Sequence, residues 1–410
     1  HLLLRKQLSR LGFSFRSKSD TEVLLAAYAI WGESCLEHLN GMFAFAIYDE
    51  KQQKLFLARD RVGEKPLFYQ LKNNCLQFAS ELKALLANPK NSKCIDKDAL
   101  DCYLAMGYVP GEKCILQGYK KLPAAHAMRF DLKSGLAKIW RYWMLPEFES
   151  NQCSLDDGSL LHELEYLLED SVRRQMVADV PVGVLLSGGV DSSLITAMAV
   201  RASSQVQTFT IGLPGHRKLD ETEHARLIAR HFGTRHTELM AEDASVAMLP
   251  RLASQFDEPI VDSSMIPTFL VSQLVRQHCT VALGGDGGDE LFGGYTHYSR
   301  LLMVQHKSEL VPYSLRRFLS MSAEKFLPIG FKGRNWLQSL AVNLDNDLPL
   351  IASLFDKKTR RRLLKDNDNW PSVAESIWMA AVPLNADIVQ RATRMDFCNY
   401  LVEDILVKVD

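Results

Sequence analysis

Val180-Pro181-Val182-Gly183-Val184-Leu185-Leu186-Ser187-Gly188-Gly189-Val190-Asp191-Ser192-Ser193 is the stretch on which the fold of this 410-residue chain turns. The apolar residues 180–186 read as a strand, the Ser/Gly run as a loop, and residues 194–200 as the start of a helix. A loop feeding a helix is an anion cradle, because the first helical N–H groups lack internal partners and the helix dipole favours negative charge there. No Gly-Lys-Ser/Thr follows, so the loop is not of Walker A type, and the three-glycine dinucleotide fingerprint is also missing. It reads as a loop for the pyrophosphate end of ATP. Ser187, Gly188, Gly189 and Ser192 would approach the phosphates, and Asp191 would hold magnesium.

A second loop strengthens that reading. The strand candidate 280–283 runs into Gly284-Gly285-Asp286-Gly287-Gly288-Asp289-Glu290-Leu291-Phe292-Gly293-Gly294-Tyr295. Acidic residues on a glycine loop at the carboxyl end of a strand lie where open α/β sheets bind ligands. Their carboxylates suit magnesium, which takes a few protein oxygens plus phosphate oxygens and water. The spacing does not match the calcium-binding EF-hand.

The rest of the sequence frames these loops. Residues 42–48, 55–59, 66–70 and 75–79 are strand candidates joined by short polar links, which predicts antiparallel hairpins. A helix is expected over 21–31, with Gly32 as its stop. Periodicity vanishes over 147–158, an expected linker between domains spanning 1–146 and 156–410. Beyond it, Leu160, Leu161, Leu164, Leu167, Leu168, Val172 and Met176 mark an amphipathic helix with Asp157 as N-cap. The strand 207–211 and the helix 220–232, stopped by Gly233, complete a βαβα alternation that implies a parallel sheet covered on both faces. From about residue 310 the chain reads as mostly helical.

Composition excludes several classes. A net charge of −1 offers no basic field for nucleic acid, and 47% hydrophobic residues suffice for substantial cores. The eight cysteines show no Cys-x-x-Cys pair, as expected of reduced thiols in a cytoplasmic protein. No apolar stretch approaches the ~20 residues that span a bilayer.

With these motifs the chain resembles the glutamine-hydrolysing asparagine synthetase family. Besides the two glycine loops, the resemblance is carried by Ser19-Asp20-Thr21-Glu22-Val23-Leu24-Leu25, Leu39-Asn40-Gly41-Met42-Phe43, Ala58-Arg59-Asp60-Arg61 with Lys65-Pro66-Leu67, and Gly107-Tyr108-Val109-Pro110. It continues in Asp257-Glu258-Pro259 with Asp262-Ser263-Ser264, and in Asp404-Ile405-Leu406-Val407-Lys408-Val409-Asp410. It implies a mixed fold, α/β and α+β: an antiparallel sandwich of the N-terminal nucleophile hydrolase kind, then a doubly wound parallel-sheet ATP pyrophosphatase domain. The implied activity is that of a carbon–nitrogen ligase. Glutamine yields ammonia, ATP activates aspartate as an acyl-adenylate, and the products are asparagine, glutamate, AMP and pyrophosphate.

The implied partners are the small molecules glutamine, aspartate and ATP, without nucleic acid or membrane, in a homodimer. The implied cofactor is magnesium on Asp191 and Asp289. Leu185 and Ile211 would contact adenosine through their backbones, and Gly284 and Gly285 the activated carboxyl and phosphate. Asp286 would assist proton transfer. Many relatives carry serine where this chain has Gly284, so that contact falls to backbone here. Asp20 would bind the α-amino group of glutamine, against a rival reading as helix N-cap. Asp220 and Glu221 match a family acidic pair and read equally well as solvated charges at a helix start. The family's nucleophilic cysteine falls before His1 and a lysine held to stabilise the intermediate falls after Asp410, so the sequence is expected to be an internal segment of a longer protein. Two other functions compete: amidation of another carboxylate, such as a glycan sugar acid, and nucleotide binding without turnover.

Overall fold

The computed structural model describes residues 1–146, 156–212, 220–240, 246–328, 330–344, 347–350, 353–363, 370, 372–383 and 386–409. Most of the expected linker, together with Cys153 and Asp410, lies outside them. The described residues form a mixed α/β structure with three sheets.

Two sheets belong to the N-terminal part. The first joins β1 (Ala44–Asp49), β2 (Lys54–Arg59), β6 (His126–Asp131) and β7 (Ala137–Arg141) in the order β1-β2-β6-β7, all antiparallel. The second is β4 (Cys75–Ala79), β3 (Phe68–Lys72) and β5 (Lys120–Lys121). Period-two alternation explains their stacking. Leu57 and Met128 of the first sheet meet Leu67, Tyr69 and Leu122 in one cluster, while Phe56 and Ala127 turn to the other face. There they pack on Leu8 of the helix Leu2–Arg10 and on Val23, Ala26 and Ala27 of the helix Asp20–Trp31. Beyond the second sheet, Phe68 packs with Leu82, Leu85 and Ala99 of the helices Leu82–Leu86 and Lys97–Met106. The layers are therefore helix, sheet, sheet, helix.

The third sheet is parallel, in the order β10 (Arg235–Met240), β9 (Gln207–Gly212), β8 (Val182–Leu185), β11 (Val281–Leu283). Parallel neighbours need crossovers, here supplied by the helices Val190–Ala202, Thr222–Phe232 and Met265–Val275. Val184 and Leu283 face Val172, Met198 and Ala199, whereas Leu185, Phe209, Leu239 and Ala282 face Val271, Leu274 and Val275. Helices thus cover both faces. Gly233 ends its helix in the left-handed region at φ +66°.

Three local expectations shift. The first β8 residues are not in the ladder: Pro181 has no N–H to give, and the strand begins at Val182. The helix Asp157–Gln175 is capped by Asp156 rather than Asp157, through a bond accepted from the Ser159 N–H. Ser19, not Asp20, is the N-cap of Asp20–Trp31, its Oγ accepting from Thr21 N–H at 3.1 Å.

The two parts are joined by buried polar contacts. Asp101, on the helix Lys97–Met106, accepts from Arg360 Nε at 2.7 Å, Trp370 Nε1 at 2.7 Å and Ala374 N–H at 3.0 Å. Arg360 also donates to Glu375 and is completely buried. Buried ion pairs of this kind specify register more than they add stability.

Candidate active site

The first glycine loop leaves β8 at Leu185 and reaches its helix at Val190. Gly188 sits at φ +85°, and a Cβ there would come within 2.6 Å of His224 Cβ and 2.7 Å of the His224 backbone carbon. Only glycine lets this turn pass under the helix Thr222–Phe232. Ser187 Oγ and Ser192 Oγ lie 2.9 Å apart, and the Gly189 N–H donates to Ser187 Oγ at 3.2 Å. The loop is thereby tied to its own helix, with Gly189 as N-cap.

The second loop packs directly on the first. A Cβ on Gly285 would stand 2.9 Å from Asp191 Cβ, and one on Gly288 would stand 2.8 Å from Asp191 Cγ. This close approach is why the run is so rich in glycine. Together Ser187, Gly189, Asp191, Ser192, Gly285, Asp286 and Asp289 line one cavity of about 210 Å³, to whose wall Glu290, Tyr295 and Ile405 also contribute.

Electrostatics mark the same place. Burial raises the Asp289 carboxyl above its ordinary range and the nearby Asp191 carboxylate raises it further. Neither aspartate caps its helix. Burial also raises Glu290, although Tyr295 Oη donates to it at 2.7 Å. Two carboxylates repelling each other across a cavity edged by hydroxyls and free helical N–H groups make a set of hard oxygens and anion donors. That set fits a magnesium ion with phosphate.

The other expected residues are placed less tightly. Leu185 and Ile211 stand on the adjacent strands β8 and β9, their side chains in the cluster around Phe209, and neither lines the cavity. Gly284 lies just outside it, and a Cβ there would meet the Asp286 carboxylate at 2.6 Å. Asp220 accepts from Thr222 N–H at 3.1 Å, which fixes the start of that helix. Asp20 is exposed, and its Oδ1 accepts from Thr21 N–H at 2.8 Å. Nothing from the two glycine loops comes near it in these contacts.

Ile405 is the cavity residue that reading the loops could not find, since it arrives from more than 100 residues away in sequence. Glu290 and Tyr295 were in plain view, five apart in the second loop, but an acidic residue that turns inward onto a tyrosine leaves no local signal.

The profile of the asparagine synthase family matches residues 163–410, and that of a glutamine amidotransferase domain matches residues 1–143. The chain belongs to the asparagine synthase family. Across its whole length it is 34% identical to a putative glutamine-hydrolysing asparagine synthetase of Mycobacterium tuberculosis and 31% identical to asparagine synthetase 1 of Bacillus subtilis. It covers 63% and 64% of those two proteins. Over 68% of its length it is 39% identical to a putative asparagine synthetase of Methanocaldococcus jannaschii, of which it covers 54%. The chain thus spans somewhat less than two thirds of the length of these relatives.

Proposed function

We propose that the full-length protein is an ATP-dependent, glutamine-hydrolysing asparagine synthetase. The observation that carries this reading is the meeting of the two glycine loops around one cavity, with Asp191 and Asp289 facing each other across it. Residues 1–146 would be the glutaminase domain, of the N-terminal nucleophile hydrolase kind, and residues 156–410 the ATP pyrophosphatase domain. The layered antiparallel sheets and the parallel sheet with helices on both faces support that division.

In this reading an oxygen of the aspartate side-chain carboxylate attacks the α-phosphorus of ATP and pyrophosphate leaves. The Ser187–Gly189 backbone, the Ser187 and Ser192 hydroxyls and the N-terminus of the helix Val190–Ala202 bind the departing phosphates by preorganised donation. Asp191 and Asp289 would hold magnesium, which supplies positive charge to the leaving pyrophosphate. Leu185 and Ile211 would hold adenosine through backbone groups, and Gly284 and Gly285 the activated carboxyl. Ammonia then attacks the acyl carbon, Asp286 accepts a proton from the incoming nitrogen, and AMP leaves with the former carboxylate oxygen. Asp20 would bind the α-amino group of glutamine. A homodimer and a cytoplasmic location belong to the same proposal; among the described residues no helix is long and apolar enough to cross a membrane.

Oxygen tracing tests the chemistry. Full-length protein given ATP, glutamine and aspartate labelled with ¹⁸O in its side-chain carboxylate should form asparagine and AMP bearing one ¹⁸O. Unlabelled AMP, or ADP with phosphate, would refute the acyl-adenylate.

A further inference from the structure

The run from Asp257 to Ser264 belongs to the C-terminal part, yet its first half is bound by the N-terminal part. Asp257 accepts from the Leu82 and Lys83 N–H groups at 2.7 and 3.2 Å. Glu258 accepts from the Ile115 N–H at 2.7 Å, and the Val261 N–H donates to Gly107 O at 2.9 Å. Opposite Glu258 stands Lys121 of β5, with Nζ 3.1 Å from its carboxylate and 2.6 Å from that of Glu403. Lys121 donates to Val109 O as well. These charged groups lie almost wholly out of water and line a cavity of about 400 Å³ between the two parts.

The second half of the same run holds a different partner. Asp262 and Ser264 Oγ both accept from Lys408 Nζ, the latter at 2.6 Å. Burial alone would raise the Asp262 carboxyl, but the Lys408 ammonium and the Ser264 donors hold it below its ordinary range. Glu403 and Lys408 flank Ile405, which lines the cavity between the two glycine loops. Glu403 and Ile405 both lie in the last turn of a π-helical segment, Asp396–Ile405, and such segments gather at functional sites. A stretch of wall six residues long is therefore pinned at both ends, once directly by the N-terminal part and once through Asp262.

This arrangement has the form of a two-point clamp. One ammonium shared by two buried carboxylates leaves an excess negative charge, so any shift of Lys121 toward Glu258 weakens its hold on Glu403. Breaking such a pair is costly, which makes the wall sensitive to how the two parts are docked. We infer that Lys121, Glu258 and Glu403, continued by Asp262 and Lys408, form a latch that transmits the docking state of the N-terminal part to Ile405 at the cavity between the two glycine loops. These are positioning residues. Occupancy of the nucleotide cavity and the nitrogen-supplying part are then coupled in both directions, as linkage requires. The inference rests on the proposed two-site function for its biological meaning, but not for its geometry.

The test uses full-length protein and the variants Glu403→Gln and Glu258→Gln, which keep shape and acceptor oxygen while removing one charge each. With ammonia as nitrogen source, amide formation should stay within about twofold of the unmutated rate, while with glutamine the glutamate released per amide formed should rise at least about threefold. Hydrogen exchange supplies a readout independent of the acceptor acid. Magnesium–ATP should slow exchange at the Ile115 and Val261 amides in the unmutated protein, and this transmission should be lost in both variants. Equal loss with both nitrogen sources overturns the latch, because the residues would then only hold the fold. No ATP-induced protection at Ile115 in the unmutated protein, or the same protection in the variants, overturns it too. If protection is transmitted and then lost while no asparagine forms from aspartate, the latch stands and the assignment of the acceptor falls.

Discussion

The cavity between the two glycine loops and the Asp20 corner are both built at helix N-termini, and they differ in almost everything else. At the cavity two loops approach so closely that a single Cβ at Gly285 or Gly288 would collide with Asp191. Carboxylates, hydroxyls and N–H groups from sequence positions 100 residues apart face one another there. At the other corner Asp20 is exposed beside its own helix, held by Thr21 N–H, while Ser19 does the capping. Glu22 accepts from the Arg16 and Ser17 N–H groups, and Arg5 donates to Ser17 O and Ser19 O. The bonds that shape that corner reach no further than the fourteen residues between Arg5 and Ser19. A site made by convergence declares its chemistry in the fold, whereas a lone ligand residue depends on partners supplied from elsewhere.

The largest effect expected from this contrast follows from crowding the cavity. Gly288→Ala should push the Asp191 carboxylate aside, because the new Cβ would stand 2.8 Å from Asp191 Cγ. Displacing a reacting group by about 1 Å costs about 10²-fold in rate. ATP-dependent synthesis by the full-length protein should therefore drop about 10²-fold with either nitrogen source, with glutamine hydrolysis kept. An alanine variant of normal activity would mean that the two loops move independently.

A smaller and more selective effect is expected at the other corner. If Asp20 binds glutamine as proposed, Asp20→Ala would remove one charge-assisted contact, so the glutamine KM should rise about tenfold while ammonia-driven synthesis is unchanged. Steady-state kinetics with both nitrogen donors separate the outcomes, and a parallel loss with ammonia would make Asp20 a structural residue.

Many of the sequence expectations came through because each rested on strong local chemistry. The strand-loop-helix order, both glycine loops and the parallel sheet follow from apolar runs punctuated by glycine, and they recur in β8, β9 and β11. What stayed hidden was long-range. The Ala58-Arg59-Asp60-Arg61 motif carries part of the family resemblance without showing what it does: Arg59 donates to Leu122, Gly63 and Lys65 carbonyls, and Asp60 accepts from the Val62, Glu64 and Lys65 N–H groups. Those bonds make it the frame of a turn. Likewise Asp257, Glu258 and Asp262 gave no role in sequence, because their partners Leu82, Lys121 and Lys408 lie up to 175 residues away. Single-residue shifts such as Asp156 for Asp157 reflect two adjacent aspartates able to cap the same turn.

The smallest effect concerns stability alone. Burial, with Asp262 beside it, raises the Asp404 carboxyl to about 8. The folded state therefore holds a proton that the unfolded chain releases near pH 4, so this contribution is complete below about pH 4 and is lost as pH rises through 8. Asp404→Asn should flatten the fall in stability between pH 5 and 8 by less than about 1.4 kcal/mol per pH unit, the ceiling for one proton. Denaturant unfolding at several pH values checks it, and parallel slopes for the two proteins would place the proton elsewhere.

The central claim is that the two glycine loops act as one nucleotide site, and magnesium-dependent ATP–pyrophosphate exchange by folded, full-length Asp191→Asn, Asp289→Asn and the double variant tests it most directly. Each single change should lower aspartate-dependent exchange about 10²–10³-fold, and the double variant should be little worse than either, because groups acting as a unit fail together. Exchange near the unmutated rate in both single variants, or a double loss equal to the product of the two, would contradict the account.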